Sequence, residues 1–110
     1  MDRKRNLNTT IVRDIHRFIG ALREHRIVVD KAVLFGSYAT GKNTVDSDVD
    51  VAVVSSQFGK NTFREMSLLR RVALTINASL EPLPFSPSAF NDKYSALACE
   101  IKRHGRDILL

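Results

Sequence analysis

"LFGSYATGKNTVDSDVDVAVV", residues 34–54, places three aspartates within five positions, directly before an apolar run. The aspartates are Asp46, Asp48 and Asp50, and a Gly-Ser pair precedes them in the same segment. The run Val49–Val54 is apolar on both faces after its first residues, which is typical of a central buried strand. The segment therefore predicts a sheet with negative charge at the end of one of its inner strands.

Asp48 and Asp50 are two residues apart at the start of this strand, so both side chains leave the same face. Strand geometry puts their Cα atoms roughly 6.5–7 Å apart. Two carboxylates this close repel each other, and partial burial adds to the cost. A divalent cation between them would relieve that repulsion, and hard oxygen ligands suit magnesium. The alternative is a plain polar strand entry, in which Asp46 and Ser47 form an Asx-type turn.

The Gly36–Ser37 pair follows the preceding apolar run, and ten residues separate it from Asp48. A glycine at this point lets the backbone approach a ligand closely. If Ser37 opens a short helix over residues 38–40, its amide and hydroxyl point towards an anion. A plain strand-ending turn is the alternative. Together, the turn and the aspartates predict an anion cradle and a cation site at the ends of neighbouring strands, which is what a metal-bound triphosphate requires.

The rest of the chain predicts an α/β fold, a sheet of about three strands covered by helices. In chain order the predicted elements are a helix over 9–25, a strand over 31–35, the short helix, a strand over 49–54, a helix over 62–75, a strand over 78–83 and a last helix ending at Gly105. The first helix carries an apolar stripe of Ile11, Ile15, Phe18, Ile19 and Leu22.

Several local signals refine these elements. Asn8 or Thr9 can cap the first helix, and a capping box from Thr62 to Glu65 begins the helix over 62–75. Pro82 and Pro84 close the third strand and suit an edge position. The last helix is expected to be continuous, with an apolar side formed by Phe90, Tyr94, Leu97, Ala98 and Ile101.

Size and composition restrict the function classes. The 110 residues correspond to one domain, and a single cysteine, Cys99, excludes an internal disulfide. The basic N-terminus lacks the apolar segment of a secretion signal, and no apolar run is long enough to span a membrane. We therefore expect a soluble, cytoplasmic protein without a membrane partner. The net charge of +5 allows an anionic partner, including nucleic acid, but aromatic residues are not interleaved with the basic ones.

The segment quoted above resembles the G-S…D-x-D motif of the nucleotidyltransferase superfamily that includes DNA polymerase β. More narrowly, it is similar to the minimal nucleotidyltransferases of bacteria and archaea, and the likeness extends over nearly the whole chain. The resemblance implies a single domain over residues 1–110 with a small mixed sheet of the polymerase β palm type. It also implies transfer of a nucleoside monophosphate, AMP from ATP or its counterpart from another nucleoside triphosphate, to an acceptor hydroxyl with release of pyrophosphate.

The resemblance also implies roles for individual residues. Gly36 and Ser37 would hold the β- and γ-phosphates, and Asp48 and Asp50 would ligate one or two magnesium ions. The family needs a third carboxylate from a later strand, as a metal ligand or as the base towards the acceptor hydroxyl, and Glu81 fits that place.

Two further positions bear on these roles. Asp92 is the second candidate for the third carboxylate. Many relatives carry arginine at the position of Thr40, and here Lys42 would supply the positive charge near the phosphates.

A chain of this size is expected to obtain its acceptor from a partner. Minimal nucleotidyltransferases often accompany a helical protein of the HEPN family, in toxin–antitoxin pairs where the transferase is the antitoxin. The resemblance therefore implies a HEPN-family partner. The alternatives are a non-catalytic module that keeps the fold and neutralises a partner by contact, and a small RNA-binding domain suggested by the basic charge alone. Self-association is left open.

Overall fold

The computed structural model describes residues 9–110, and its elements follow the predicted order with two exceptions near the C-terminus, a divided last helix and an added short strand. The elements are α1 Thr9–Glu24, β1 Lys31–Phe35, α2 Ser37–Thr40, β2 Val49–Val54, α3 Thr62–Leu74, β3 Leu80–Phe85, α4 Pro87–Phe90, α5 Ala96–His104 and β4 Arg106–Asp107. Asn8, one of two expected caps for α1, lies outside the described residues, and Thr9 already belongs to the helix. Within residues 9–110, no helix has the length and apolar character needed to cross a bilayer.

The four strands form one mixed sheet in the order β3-β2-β1-β4. β1 pairs antiparallel with β2 and with β4, whereas β2 and β3 run parallel. The register places Phe35 opposite Asp50, and Asp50 opposite Glu81. The predicted α/β class with a small mixed sheet is therefore confirmed. The quoted segment joins the two central strands, since it contains the last two residues of β1 and all of β2.

Helices cover both faces of this sheet. On one face, α1 and α3 pack against β1, β2 and β3 around the fully buried Phe18, and every residue of the predicted α1 stripe is buried. On the other face, α4 and α5 contribute Phe90 and Ile101, which pack on Val33, Ala52 and Val54. Asp50 has the same parity along β2 as Ala52, so its side chain leaves the sheet on the α4–α5 face.

The third strand is at the edge of the sheet, as predicted, but its bounds were wrong. Instead of ending at the prolines, β3 runs through Pro82 and Pro84. The amide of Val49, which begins β2, donates to the Ser79 carbonyl at 2.8 Å, and the amide of Ser55, one residue past β2, donates to the Phe85 carbonyl at 3.0 Å. The backbone groups of odd-numbered residues of β3 therefore point towards β2, and those of even-numbered residues point away from it. Pro82 and Pro84 are even-numbered, so their nitrogens remove no hydrogen bond between β2 and β3.

The prediction of one continuous last helix was also wrong. The chain breaks at residues 91–95 between α4 and α5 because each helix has its own serine cap. Ser86 Oγ accepts from the Ala89 amide at 3.2 Å, and Ser95 Oγ accepts from the Ala98 amide at 3.1 Å. Tyr94 falls in the break and is exposed rather than packed. Past Gly105, the two-residue β4 adds a fourth strand that no sequence signal indicated.

The cap of α3 lies one residue earlier than the predicted capping box from Thr62 to Glu65. Asn61 is the N-cap, and its Oδ1 accepts from the Arg64 amide at 3.1 Å. The Glu65 carboxylate accepts from the three successive amides of residues 59–61, at 3.0–3.1 Å. Asparagine is at least as good a cap as threonine, so the helix starts where its hydrogen bonds are best satisfied.

We expect Glu65→Gln to lower the free energy of unfolding by about 1 kcal/mol at neutral pH, because charge-assisted bonds to three amides weaken. Burial would raise the pKa of the Glu65 carboxyl, but the bonds from Gly59, Asn61 and Lys60, with the Lys60 charge, hold that pKa below its ordinary 4.5. A lowered pKa stabilises the fold above pH 4.5, and this contribution is lost as the pH falls through the lowered pKa. Urea unfolding at pH 7 and pH 3 should show the difference between wild type and variant shrinking in acid. A constant difference would contradict it.

Candidate active site

Three strand ends meet where the acidic residues lie. Glu81 on β3 is directly opposite Asp50 on β2, and Phe35 at the end of β1 is opposite Asp50 on the other side. Asp50 and Glu81 therefore project side by side from neighbouring strands about 4.8 Å apart. Asp48 lies two residues before Asp50 and leaves the same side of the chain. The structure thus brings the three sequence-predicted carboxylates to the end of the sheet at which β2 and β3 begin. We call this end the acidic edge.

Gly36 is in direct contact with this edge. Its φ of 74° and ψ of −151° belong to a region that side chains rarely adopt. A Cβ built at Gly36 would overlap the carboxylate of Asp50. Glycine is therefore required here for two reasons, its backbone conformation and the close approach of the Asp50 side chain.

The turn continues into α2, which Ser37 opens as predicted. The Ala39 and Thr40 amides donate to the Gly36 carbonyl at 3.1 and 3.3 Å, so the turn is internally closed. The first amides of a helix have no hydrogen-bond partner within that helix. In α2 these are the amides of residues 37 and 38. Lys42 follows α2 with an exposed side chain, and its amide donates to the Ser37 carbonyl at 2.9 Å.

Negative charge accumulates at this edge. The pKa of the Asp50 carboxyl is raised above its ordinary value, first by burial and then by repulsion from Asp48 and Glu81. The three carboxylates are therefore close enough to interact, although Asp48 precedes β2, Asp50 belongs to β2 and Glu81 belongs to β3. A cation placed among them would reverse this effect, because an opposite charge favours the ionised form.

Arg70 is the site residue that sequence reasoning missed. Its Nη1 donates to Glu81 Oε1, forming an ion pair that reaches from α3 to the edge strand. The contact depends on how α3 packs along β3, so periodicity alone does not reveal it. The one available signal is topological: α3 joins the parallel strands β2 and β3, so it must pack near them.

The donor set fits a magnesium ion that keeps water and substrate phosphates among its ligands. Within residues 9–110, no three His, Cys, Asp or Glu side chains converge to hold a metal by themselves. Glu81 is engaged with Arg70. Asp48 and Asp50 remain, and magnesium characteristically uses one or two carboxylates with phosphates rather than an all-protein cage. The chemistry of these oxygen donors, with the Asp50 carboxylate held against the Gly36 turn, favours a cation here.

Asp92, the second candidate for the third carboxylate, serves a local purpose. It lies in the break between α4 and α5, where its Oδ1 accepts from the Tyr94 amide at 2.9 Å. This is an Asx-type turn that holds the backbone of the break.

A cavity of about 270 Å³ adjoins the Gly36 turn on the side of α5. It is lined by Phe35, Gly36, Thr40, Glu100, Ile101 and His104. His104 Nε2 lies 3.8 Å from Glu100 Oε2 across this wall. The space beside the turn could hold part of a ligand whose anionic group contacts the start of α2.

We expect Asp50→Asn to raise the melting temperature of the ligand-free protein, measured in EDTA. An acid whose pKa is raised in the folded state destabilises the fold when it is ionised, and the isosteric amide removes that charge. After allowance for solvent screening of a partly exposed group, the gain is about 0.5 kcal/mol, roughly 2–4 °C. Asp46→Asn, in the exposed loop before the strand, is the matched control and should leave the melting temperature unchanged. A lower melting temperature for Asp50→Asn would contradict the view that burial and the neighbouring carboxylates disfavour the charged form of Asp50.

Comparisons with known proteins point to one family. A family model described as "Nucleotidyltransferase domain" matches residues 15–104, a span that includes every site residue discussed above. A protein of Methanocaldococcus jannaschii named "putative protein adenylyltransferase" is 36% identical over 81 residues. That alignment covers 72% of this chain and 77% of the relative.

Proposed function

The chain belongs to the nucleotidyltransferase domain family, which makes it a transferase of nucleoside monophosphates. We propose that it transfers AMP from ATP to a hydroxyl group of a protein. The name of the archaeal relative, a protein adenylyltransferase, supports both the nucleotide and the class of acceptor. A cytoplasmic location, where ATP and magnesium are abundant, belongs to the same proposal.

The contact of Gly36 with Asp50 carries the proposal. It puts the start of α2 beside a carboxylate whose pKa is raised by burial and by the neighbouring Asp48 and Glu81 charges. In the proposed complex the Gly36–Ser37 turn holds the β- and γ-phosphates, and Lys42 adds positive charge beside them. The turn orients the triphosphate so that its α-phosphorus faces the acidic edge of the sheet.

Asp48 and Asp50 would hold magnesium, one ion or two, in contact with the triphosphate. When bound, magnesium neutralises phosphate charge and stabilises the attacking and leaving oxygens of an in-line displacement. Glu81 would complete the acidic site as a further ligand or accept the proton of the acceptor hydroxyl. The acceptor oxygen then forms its bond to the α-phosphorus while the bond to pyrophosphate breaks. Positioning and charge neutralisation are the main contributions of the protein to such a reaction.

The acceptor is proposed to lie on a partner protein, a helical protein of the HEPN family, with this chain acting as the antitoxin of the pair. The resemblance of residues 34–54 to the minimal nucleotidyltransferases supports this partner. The printed name of the relative supports a protein acceptor without specifying which protein.

Position-specific labels test the proposed reaction. The full chain is incubated with magnesium and the product of a neighbouring HEPN-type gene, using ATP labelled at either the α- or the γ-phosphate. Label from the α-position alone should appear on the partner, with release of pyrophosphate, and EDTA should abolish it. Transfer of the γ-label would instead indicate a kinase. Stable complex formation without any transfer would favour the alternative, in which the partner is neutralised by contact.

A further inference from the structure

The Arg70–Glu81 contact is the one ion pair that the described residues make at this group of carboxylates. Asp50 is repelled by both Asp48 and Glu81. Of these three carboxylates, only Glu81 has an ion-pair partner among the described residues, and that partner is the Arg70 guanidinium. The side chains of Arg70 and Glu81 are 51% and 32% exposed, so water reaches both groups.

Glu81 has two competing partners, the Arg70 guanidinium and the proposed cation. The proposed function needs its carboxylate turned towards the Asp48/Asp50 pair, whereas the structure has it engaged with α3. An exposed ion pair contributes little stability, so a divalent cation can displace the guanidinium at modest cost. Glu81 can therefore exchange one partner for the other without rearrangement of the sheet.

The surroundings of Arg70 allow it to leave. Its side chain lines an open groove of about 310 Å³ between α3 and the edge strand, together with Phe63, Met66, Ser67 and Pro82. Because the guanidinium is already half exposed, release from Glu81 leaves it in water and buries no unpaired charge.

From these observations we infer that Arg70 is a positioning residue that competes with the catalytic cation for Glu81. The inference rests on the proposed function and adds a control to it. In the ligand-free enzyme, Arg70 holds the third carboxylate away from the cation site and lowers affinity for divalent cations. Binding of the cation releases Arg70 and brings Glu81 to the other two carboxylates.

Binding of Mn²⁺ to the nucleotide-free full chain, followed by electron paramagnetic resonance, tests this competition. Arg70→Gln should bind Mn²⁺ about threefold to fivefold more tightly than wild type, the change that corresponds to loss of an exposed ion pair. Arg70→Lys should fall between the two. Arg71→Gln is the matched control, since it removes the same charge from the next, exposed position of α3 and should leave the affinity unchanged.

A double variant separates competition from the general field of a positive charge. In the Glu81→Gln background, Arg70→Gln should bring no further gain, because the contested carboxylate is gone. An equal gain in that background, an equal gain in Arg71→Gln, or no gain in Arg70→Gln overturns the inference. If wild type takes up no Mn²⁺ even with an ATP analogue, the proposed function fails with it. Normal uptake by wild type with an unchanged Arg70→Gln removes the inference alone.

Discussion

Asp48→Asn should lower kcat/KM for nucleotidyl transfer by about a thousandfold or more while leaving the protein folded. The amide keeps the size of the side chain but removes the charge that would hold magnesium against the triphosphate. Asp48 is exposed at the mouth of β2, so the substitution disturbs no core packing. Transfer of α-labelled nucleotide by wild type and variant measures the loss, and circular dichroism reports folding.

Asp46→Asn is the control for this experiment. It makes the same change of charge two residues earlier, in the exposed loop, and should keep nearly full activity. If Asp48→Asn retains more than a tenth of the wild-type rate, or if Asp46→Asn loses as much as Asp48→Asn, the assignment of the carboxylate pair is wrong.

Gly36→Ala should reduce transfer by about a hundredfold or more and lower the free energy of unfolding by about 1–3 kcal/mol. Two effects combine at this position. The backbone conformation, with φ at 74° and ψ at −151°, is unfavourable for a residue with a Cβ. The added methyl group would also displace the Asp50 carboxylate from its place beside the turn. Urea unfolding and the labelled-transfer assay measure the two consequences separately.

Gly41→Ala separates strain from displacement. Gly41 also has a positive φ, 77°, but a Cβ there would meet open space. We expect the free energy of unfolding to fall by about 1 kcal/mol, because the left-handed conformation is unfavourable for alanine. Activity should be largely kept. Equal loss of activity in Gly36→Ala and Gly41→Ala would show that contact with Asp50 is unimportant.

The elements predicted best are those specified by their own residues. β1 and β2 have the predicted bounds, and α1 ends within one residue of the prediction, because apolar periodicity and flanking turns specify them locally. The motif in residues 34–54 likewise predicted that a glycine turn and the aspartates meet at the ends of adjacent strands, and Gly36 does contact Asp50.

The features that were missed depend on competition between neighbours or on tertiary packing. Asn61 displaced Thr62 as the cap of α3, since both can accept the same kind of hydrogen bond. Ser95 starts a second helix where apolar spacing favoured one continuous helix. The pairing of β4 with β1 and the Arg70–Glu81 contact join residues from separate elements, which no local pattern reports.

Isothermal titration calorimetry with α,β-methylene-ATP is the most direct measurement of the central claim, that the acidic edge and the glycine turn bind a magnesium–triphosphate together. The analogue cannot be cleaved between its α- and β-phosphates, so binding is observed without transfer. Wild type should bind it in magnesium, and affinity should fall at least about tenfold in EDTA and in Asp50→Asn. Equal affinity with and without magnesium, in wild type and variant alike, would contradict the proposed site.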